Sequence, residues 1–291
     1  MPESPRWLVM QGCLGDAKKV LDRTSDTLEE SKTILADIKE AADLFIHPTP
    51  TVLHILTAGI GIHFFQQASG IDAVVLHSPR IYEKAGITKP SYRLLVTIDV
   101  GCMKTFFTLV ATFLVDKIGR RILLLSSCGG MILSLLALAT GLTIIDDSDH
   151  TLKWAIVVCV CATYSTVAFF SIGMGPLAWV YSSEIFPLRL RTQGCSIGVA
   201  VNRAVSGGIL MTFISLYKAI SIGGSFFLYA GIAIVAWIFF YTLLPETKGR
   251  TLEEMEPLFK WRSTMKELKR NRVEGADRYG SPLIIQCHIY Y

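Results

Sequence analysis

Six long apolar stretches organise the chain, at roughly 51–77, 94–115, 122–145, 154–183, 192–217 and 223–244. Each matches or exceeds the run of about 20 residues that carries a helix across the hydrocarbon core of a bilayer. The third, fourth and sixth contain no Asp, Glu, Lys or Arg. A buried soluble core accounts for one or two such runs, not six. Before them the pattern is different. In SKTILADIKEAADLF (31–45), Ile34, Leu35, Ile38, Ala41, Ala42 and Phe45 recur at helical spacing with charges between them, which predicts a water-facing amphipathic helix. HPTP (47–50) breaks the chain ahead of the first span. Beyond the last span, Thr251 with Glu254 three residues later forms a capping box, which predicts a short helix near 251–262. The expected organisation is a cytoplasmic helical region at 1–50, six transmembrane helices over 51–244, and a cytoplasmic tail at 245–291.

Basic residues orient the spans, because loops rich in Lys and Arg stay in the cytoplasm. Six Lys or Arg precede position 51, three lie in DKIGRR (116–121), two in RLR (189–191) and nine from Pro245 onward, all on one side of a six-span topology. The other side holds six, together with the acidic DDSD (146–149). Both termini are therefore expected in the cytoplasm.

Composition agrees with a membrane class: 51% of the 291 residues are hydrophobic and only 18% are charged, with a mean hydropathy of +0.45. The formal charge of +4 gives no reason to invoke nucleic acid. Seven cysteines are scattered, mostly within apolar runs, and read as small buried hydrophobes. Cys159 and Cys161 point about 200° apart on a helix, and no metal-ligand spacing surrounds them. No Ser–His–acid order, Cys–His order or glycine-rich phosphate loop stands out, so neither an enzyme nor a cofactor is expected. The opening MPESPRWL has no apolar signal-peptide core.

Polar groups inside the spans carry the candidate chemistry. Asp72, Asp99, Lys104 and Arg203 lie well within them. A charge there is costly and faces a bundle interior or a wet cavity. With two of each sign, the four can neutralise one another as structural ion pairs. Asp72 and Lys104 read instead as functional, since they fall near a polar cluster in the first span. In GIHFFQQASGIDAVV (61–75), the residues Gln66, Gln67 and Asp72 point to 0°, 100° and about 240° on a straight helix. They converge on one ligand only if the helix breaks near Ser69-Gly70. Broken helices expose polar groups at the midplane of transporters. The alternative is amides that tie neighbouring helices together. His54 and His63, nine apart on the same span, read as packing or wet-cavity residues.

The fourth span contains GMGPLAW (173–179). Pro176 removes a backbone donor and kinks the helix, the flanking glycines ease the bend, and Trp179 offers an apolar ring with one N–H donor. An aromatic platform beside amides suits sugars and polyols, whose C–H patches are ringed by hydroxyls. In the fifth span Asn202 and Ser206 are four apart and share a face.

At this point the sequence resembles the sugar porters of the major facilitator superfamily, most closely the plant polyol/monosaccharide transporters. The resemblance rests on PESPRWL (2–8), QQASGID (66–72), DKIGRR (116–121), GMGPLAW (173–179), SSEIFPLRLR (182–191) and PETKGR (245–250), which occur in family order over nearly all of 2–260. The dipeptides Ile71-Asp72 and Asn202-Arg203 resemble the polyol branch. The resemblance implies an all-α membrane fold, the six-helix C-terminal half of the major-facilitator architecture preceded by cytoplasmic helices. It implies a substrate site built from Gln66, Gln67, Asp72, Lys104, Ser171, Trp179, Asn202 and Ser206. It further implies a conformational latch of Asp116, Arg120, Arg121, Glu184, Arg189, Arg191 and Glu246, which sit at cytoplasmic helix ends where a solvated charged rim is the plain alternative.

A complete family member has twelve spans in two halves with the ligand between them, and its proton-coupling carboxylate lies in a first helix that this sequence lacks. The expected function is carbohydrate transport derived from a proton symporter of polyols or monosaccharides, in a truncated form not competent alone. The expected location is the plasma membrane. The alternative is a non-transporting membrane protein that pairs with, and suppresses, a full-length porter. A transporting dimer of halves is a third arrangement.

Overall fold

The computed structural model describes residues 3–46, 49–84, 90–147, 153–187 and 190–248. All regular structure among these residues is helical: α1 (Pro5–Met10), α2 (Leu14–Thr24), α3 (Leu28–Ile46), α4 (Pro50–Ala68), α5 (Ile71–Lys84), α6 (Pro90–Ile118), α7 (Arg120–Asp147), α8 (Lys153–Ile172), α9 (Met174–Ile185), α10 (Arg191–Ile220) and α11 (Ile222–Leu243). The expected helix near 251–262 lies outside the described residues.

The first three helices pack on one another and bury Leu8, Val9, Ala17 and Ala42, flanked by Val20, Leu35 and Ile38. Leu35, Ile38 and Ala42 of the stripe read from the sequence take part, and α3 starts three residues earlier than the quoted segment. Thr49 then caps α4 by accepting from the Val52 N–H (3.4 Å), with Pro50 at the first helical position.

Among the described residues, five helical segments are long and apolar enough to cross a membrane: Ile98–Ile118, Arg120–Asp146, Lys153–Ile185, Arg191–Ile220 and Ile222–Leu243. The sequence predicts six. The remaining stretch exists as two shorter helices, α4 of 19 residues and α5 of 14, because its polar centre interrupts it. α7 packs along α8 and α11, α4 packs along α10, and α8 touches both α5 and α6. Leu124, Met131, Tyr181, Phe186, Phe213, Phe226 and Phe240 fill the core between them. Without a hydrophobic drive between helices in lipid, close packing holds such a bundle together. Leu109, Phe113, Leu133, Met211 and Ile238 point outward, as a lipid-facing surface requires.

Candidate functional site

The site begins at the interruption of the first apolar stretch. α4 closes with the Ser69 N–H on the Phe65 carbonyl (3.2 Å) and the Gly70 N–H on the Gln67 carbonyl (2.9 Å). Gly70 has φ +77°, and a Cβ there would stand 2.6 Å from the Tyr229 ring of α11. Both the left-handed backbone and the close ring exclude a side chain. The Val74 N–H returns to the Gly70 carbonyl (3.0 Å), and α5 starts at Ile71. The sequence places this break at Ser69-Gly70, and there it is.

The fourth apolar stretch breaks at Gly173, between α8 and α9. Pro176 sits in the first turn of α9, where its missing N–H leaves no helical bond unmade. The kink thus falls three residues before the proline.

The two breaks face each other. Gln66 donates to the carbonyls of Met174 (3.1 Å) and Gly175 (2.8 Å) in the first turn of α9. Its Oε1 accepts from Asn202 Nδ2 (2.7 Å) on α10. Asn202 Nδ2 also donates to the His63 carbonyl (3.3 Å), and Asn202 Oδ1 accepts from Gln67 Nε2 (3.3 Å). His63, fully buried, places Nε2 3.1 Å from Ser182 Oγ and sets its ring edge-on to Trp179, centroids 5.1 Å apart. These contacts join α4, α9 and α10 into one polar seam.

A cavity of about 350 Å³ opens against this seam. Gln66, Gln67, Asp72, Lys104, Ser171, Trp179 and Asn202 line it, seven of the eight residues that the sequence names for a substrate site. Ser206, the eighth predicted residue, reaches the cavity through Asp72, to which its hydroxyl donates. The roles divide. Both donors of Gln66 are committed inside the protein, so it acts first as a tie. Gln67 Oε1 and Ser171 Oγ are buried without a hydrogen-bond partner, and buried polar atoms ordinarily have one. They are cavity-lining atoms with unmet hydrogen-bonding capacity. Trp179 is 41% exposed.

The four charges within the apolar stretches do not neutralise one another among the described residues. Asp72 binds Ser206 instead. Asp99 lines a separate groove with Leu95, Ile98, Cys102 and Tyr164. Lys104 and Arg203 border the cavity. Helical geometry explains this: Asp99 lies five residues before Lys104 and so points to another side of α6.

A second cluster sits where α6 meets α7. Glu246 accepts from the backbone N–H groups of Arg120 (3.0 Å) and Arg121 (3.1 Å) at the start of α7, where helix ends favour negative charge. Gly119, at φ +104°, turns the chain into that helix, and a Cβ on it would stand 3.2 Å from the Glu246 carboxylate. Arg120 pairs with Glu184 (3.2 Å) and Asp116 (3.5 Å). Glu184 also accepts from Thr247 (2.7 Å). Arg121 donates to the Tyr241 carbonyl (2.9 Å) and lies over that tyrosine's ring. Five predicted latch residues therefore converge. Arg191 stands apart, with Nε and Nη2 buried and unpartnered, and Arg189 lies outside the described residues.

Thr108, Phe170, Gly175, Pro176 and Arg203 also line the cavity and escape the sequence reading as site residues. Thr108 lies one turn beyond Lys104, and that adjacency is its signal; Arg203 is marked in the sequence as a charge inside a span but reads there as a structural ion pair.

Comparisons with known proteins agree with this geometry. A family model described as sugar (and other) transporter matches residues 1–259. The chain is similar to polyol transporter 5 of Arabidopsis thaliana, 56% identical over 93% of this chain and 56% of that protein. It is also similar to putative polyol transporter 2 of the same plant, 55% identical over 89% of this chain and 56% of the relative. Among solved structures, a proton:xylose symporter, XylE, bound to 6-bromo-6-deoxy-D-glucose superposes with a TM-score of 0.63 at 29% identity, covering 89% of this chain and 55% of that one. The inward-open xylose transporter XylE from E. coli gives a TM-score of 0.60 at 29% identity, covering 89% and 52%. The chain thus spans a little over half the length of these relatives.

Proposed function

We propose a role in carbohydrate transport from one premise: the chain belongs to the sugar (and other) transporter family, whose model covers residues 1–259. In this reading the cavity is one wall of a site for a polyol or monosaccharide. Gln67, Asp72, Ser171 and Asn202 meet hydroxyls, Trp179 stacks on C–H faces, and Lys104 and Ser206 complete the polar lining. The observation that carries it is the pair of unsatisfied buried atoms, Gln67 Oε1 and Ser171 Oγ, beside the exposed Trp179. An aromatic surface with few convergent polar groups is what such ligands need. The relatives named as polyol transporters support the substrate class. The proton symport named for XylE supports an origin in a coupled transporter.

Alternating access rocks one half of such a protein against the other around the ligand. This chain supplies one six-helix unit, so we assign it half of that cycle. In this reading the rim of Asp116, Arg120, Arg121, Glu184 and Glu246 serves as a latch, and the basic flanks support a topology with both termini in the cytoplasm, at the plasma membrane. Expressing the chain in a transport-deficient cell tests this directly. No robust pH-dependent polyol uptake is expected, and uptake matching a full-length porter overturns the assignment.

A second reading is favoured by the open cavity wall, where Gln67 Oε1 and Ser171 Oγ are buried without a partner beside the exposed Trp179. Here the chain pairs with a full-length porter and suppresses it. Co-expression that leaves the porter's uptake unchanged, with no co-purification, removes that reading.

A further inference from the structure

His63 is fully buried and lies outside the cavity lining, yet it touches that lining through Trp179. It comes one turn before Gln66 and Gln67 on α4, and its ring sits against Ser182 and Trp179 of α9. Gly198 of α10 is the third neighbour, and a Cβ there would stand 2.4 Å from His63 Cδ2. The His63 carbonyl accepts from Asn202 Nδ2 (3.3 Å). Ring and backbone are thus both fixed.

The hydrogen bonds assign the ring proton. The Ser182 hydroxyl has one proton and donates it to the Trp179 carbonyl (3.0 Å). Its oxygen then accepts from His63 Nε2 (3.1 Å). Nε2 therefore carries the proton, and Nδ1 is left as a buried acceptor without a hydrogen-bond partner. Such an atom is costly, and an apolar side chain would fill the slot without it. What an apolar chain cannot supply is a flat ring locked in place by its own donor. The ring meets the Trp179 indole at a centroid distance of 5.1 Å and an interplanar angle of 73°, an edge-to-face contact that aromatic groups favour. Trp179 is partly exposed, so its orientation depends on what packs against its buried part. We propose that His63 is a positioning residue for substrate binding: anchored by Ser182, it holds the Trp179 indole in the orientation that stacks on a sugar or polyol. This rests on the cavity being a carbohydrate site and adds a residue from outside its lining.

A double-mutant cycle on the affinity of the full chain in nanodiscs for radiolabelled sorbitol tests this. His63→Gln keeps a donor for Ser182 and removes the ring. It is expected to weaken binding roughly two- to tenfold, the worth of one aromatic pair, with a melting temperature close to that of the wild type. In a Trp179→Ala background the same substitution should change affinity by a factor near one, because the indole it positions is gone. In a Ser171→Ala background the full loss should persist. Ser182→Ala deletes only the anchoring hydroxyl and should show the same dependence on the indole, so the test survives a His63→Gln chain that does not fold. A loss of equal size with and without the indole shows a purely structural role and overturns the inference. Unchanged affinity in both single variants also overturns it, and in either case the carbohydrate reading stands. Absence of saturable sorbitol binding in the wild type overturns both.

Discussion

Gln66 and Gln67 are adjacent and chemically identical, yet their surroundings give them different work. Gln66 holds three partners on two other helices. Gln67 keeps a buried oxygen unpaired. Replacing Gln66 with alanine leaves the Met174 and Gly175 carbonyls without that donor and frees one Asn202 proton. A loss of about 1–3 kcal/mol of stability is expected, at the low end if lipid-embedded bonds are weak as usual. Thermal unfolding in detergent measures it. Gln67→Ala should change stability less and weaken polyol binding about tenfold, the value of one hydrogen bond to a ligand. Equal effects of the two substitutions on stability would contradict the division. The sequence made both amides conspicuous, because two glutamines inside an apolar run need partners. It could not apportion them, since their partners lie more than a hundred residues away.

The breaks were legible where glycine and proline mark them. The Ser69-Gly70 interruption followed from the need to bring Gln66, Gln67 and Asp72 to one side. Gly70→Ala forces an alanine into φ +77° and into the Tyr229 ring. A cost of about 1–2 kcal/mol is expected from the backbone alone, and more from the contact. Adding Tyr229→Val should restore only part of the melting temperature; full restoration would show that backbone strain is absent. At the other break the chain interrupts at Gly173, one of the two glycines expected to ease the bend, and Pro176 lies in the first turn of the helix that follows. Glu246, which the sequence assigns to a latch, also caps the first turn of α7. Glu246→Gln keeps its size and loses its charge. It should destabilise α7 by about 0.5–1 kcal/mol at low salt, with the difference shrinking as salt rises. Denaturant titrations at two salt concentrations check this, and a salt-independent loss would argue for a purely steric role.

The membrane class, the helical fold and the order of the spans came from hydropathy, since bilayer thickness sets a length that six stretches meet. The missing strength of the first stretch came from the same source: its polar residues split it into α4 and α5. The charges resisted prediction for a different reason. Counting two acids and two bases suggests neutrality, but neutrality depends on which face each residue occupies. Asp99 turned away from the cavity, and that left Lys104 and Arg203 facing it with Asp72 alone. The orientation is testable by inserting a glycosylation acceptor into the acidic stretch 146–149 and another near the N-terminus. Modification of the first and not the second is expected; the reverse would invert the topology.

The most direct test of the account is saturation binding of radiolabelled sorbitol to the reconstituted chain, in wild type and in Gln67→Ala, Trp179→Ala and Leu133→Ala. Leu133 points outward and is 70% exposed, away from the cavity lining. The account predicts saturable binding in wild type and Leu133→Ala, and a loss of about tenfold or more in affinity for the other two. Saturable binding that Gln67→Ala and Trp179→Ala leave intact, or no saturable binding in the wild type, would contradict it.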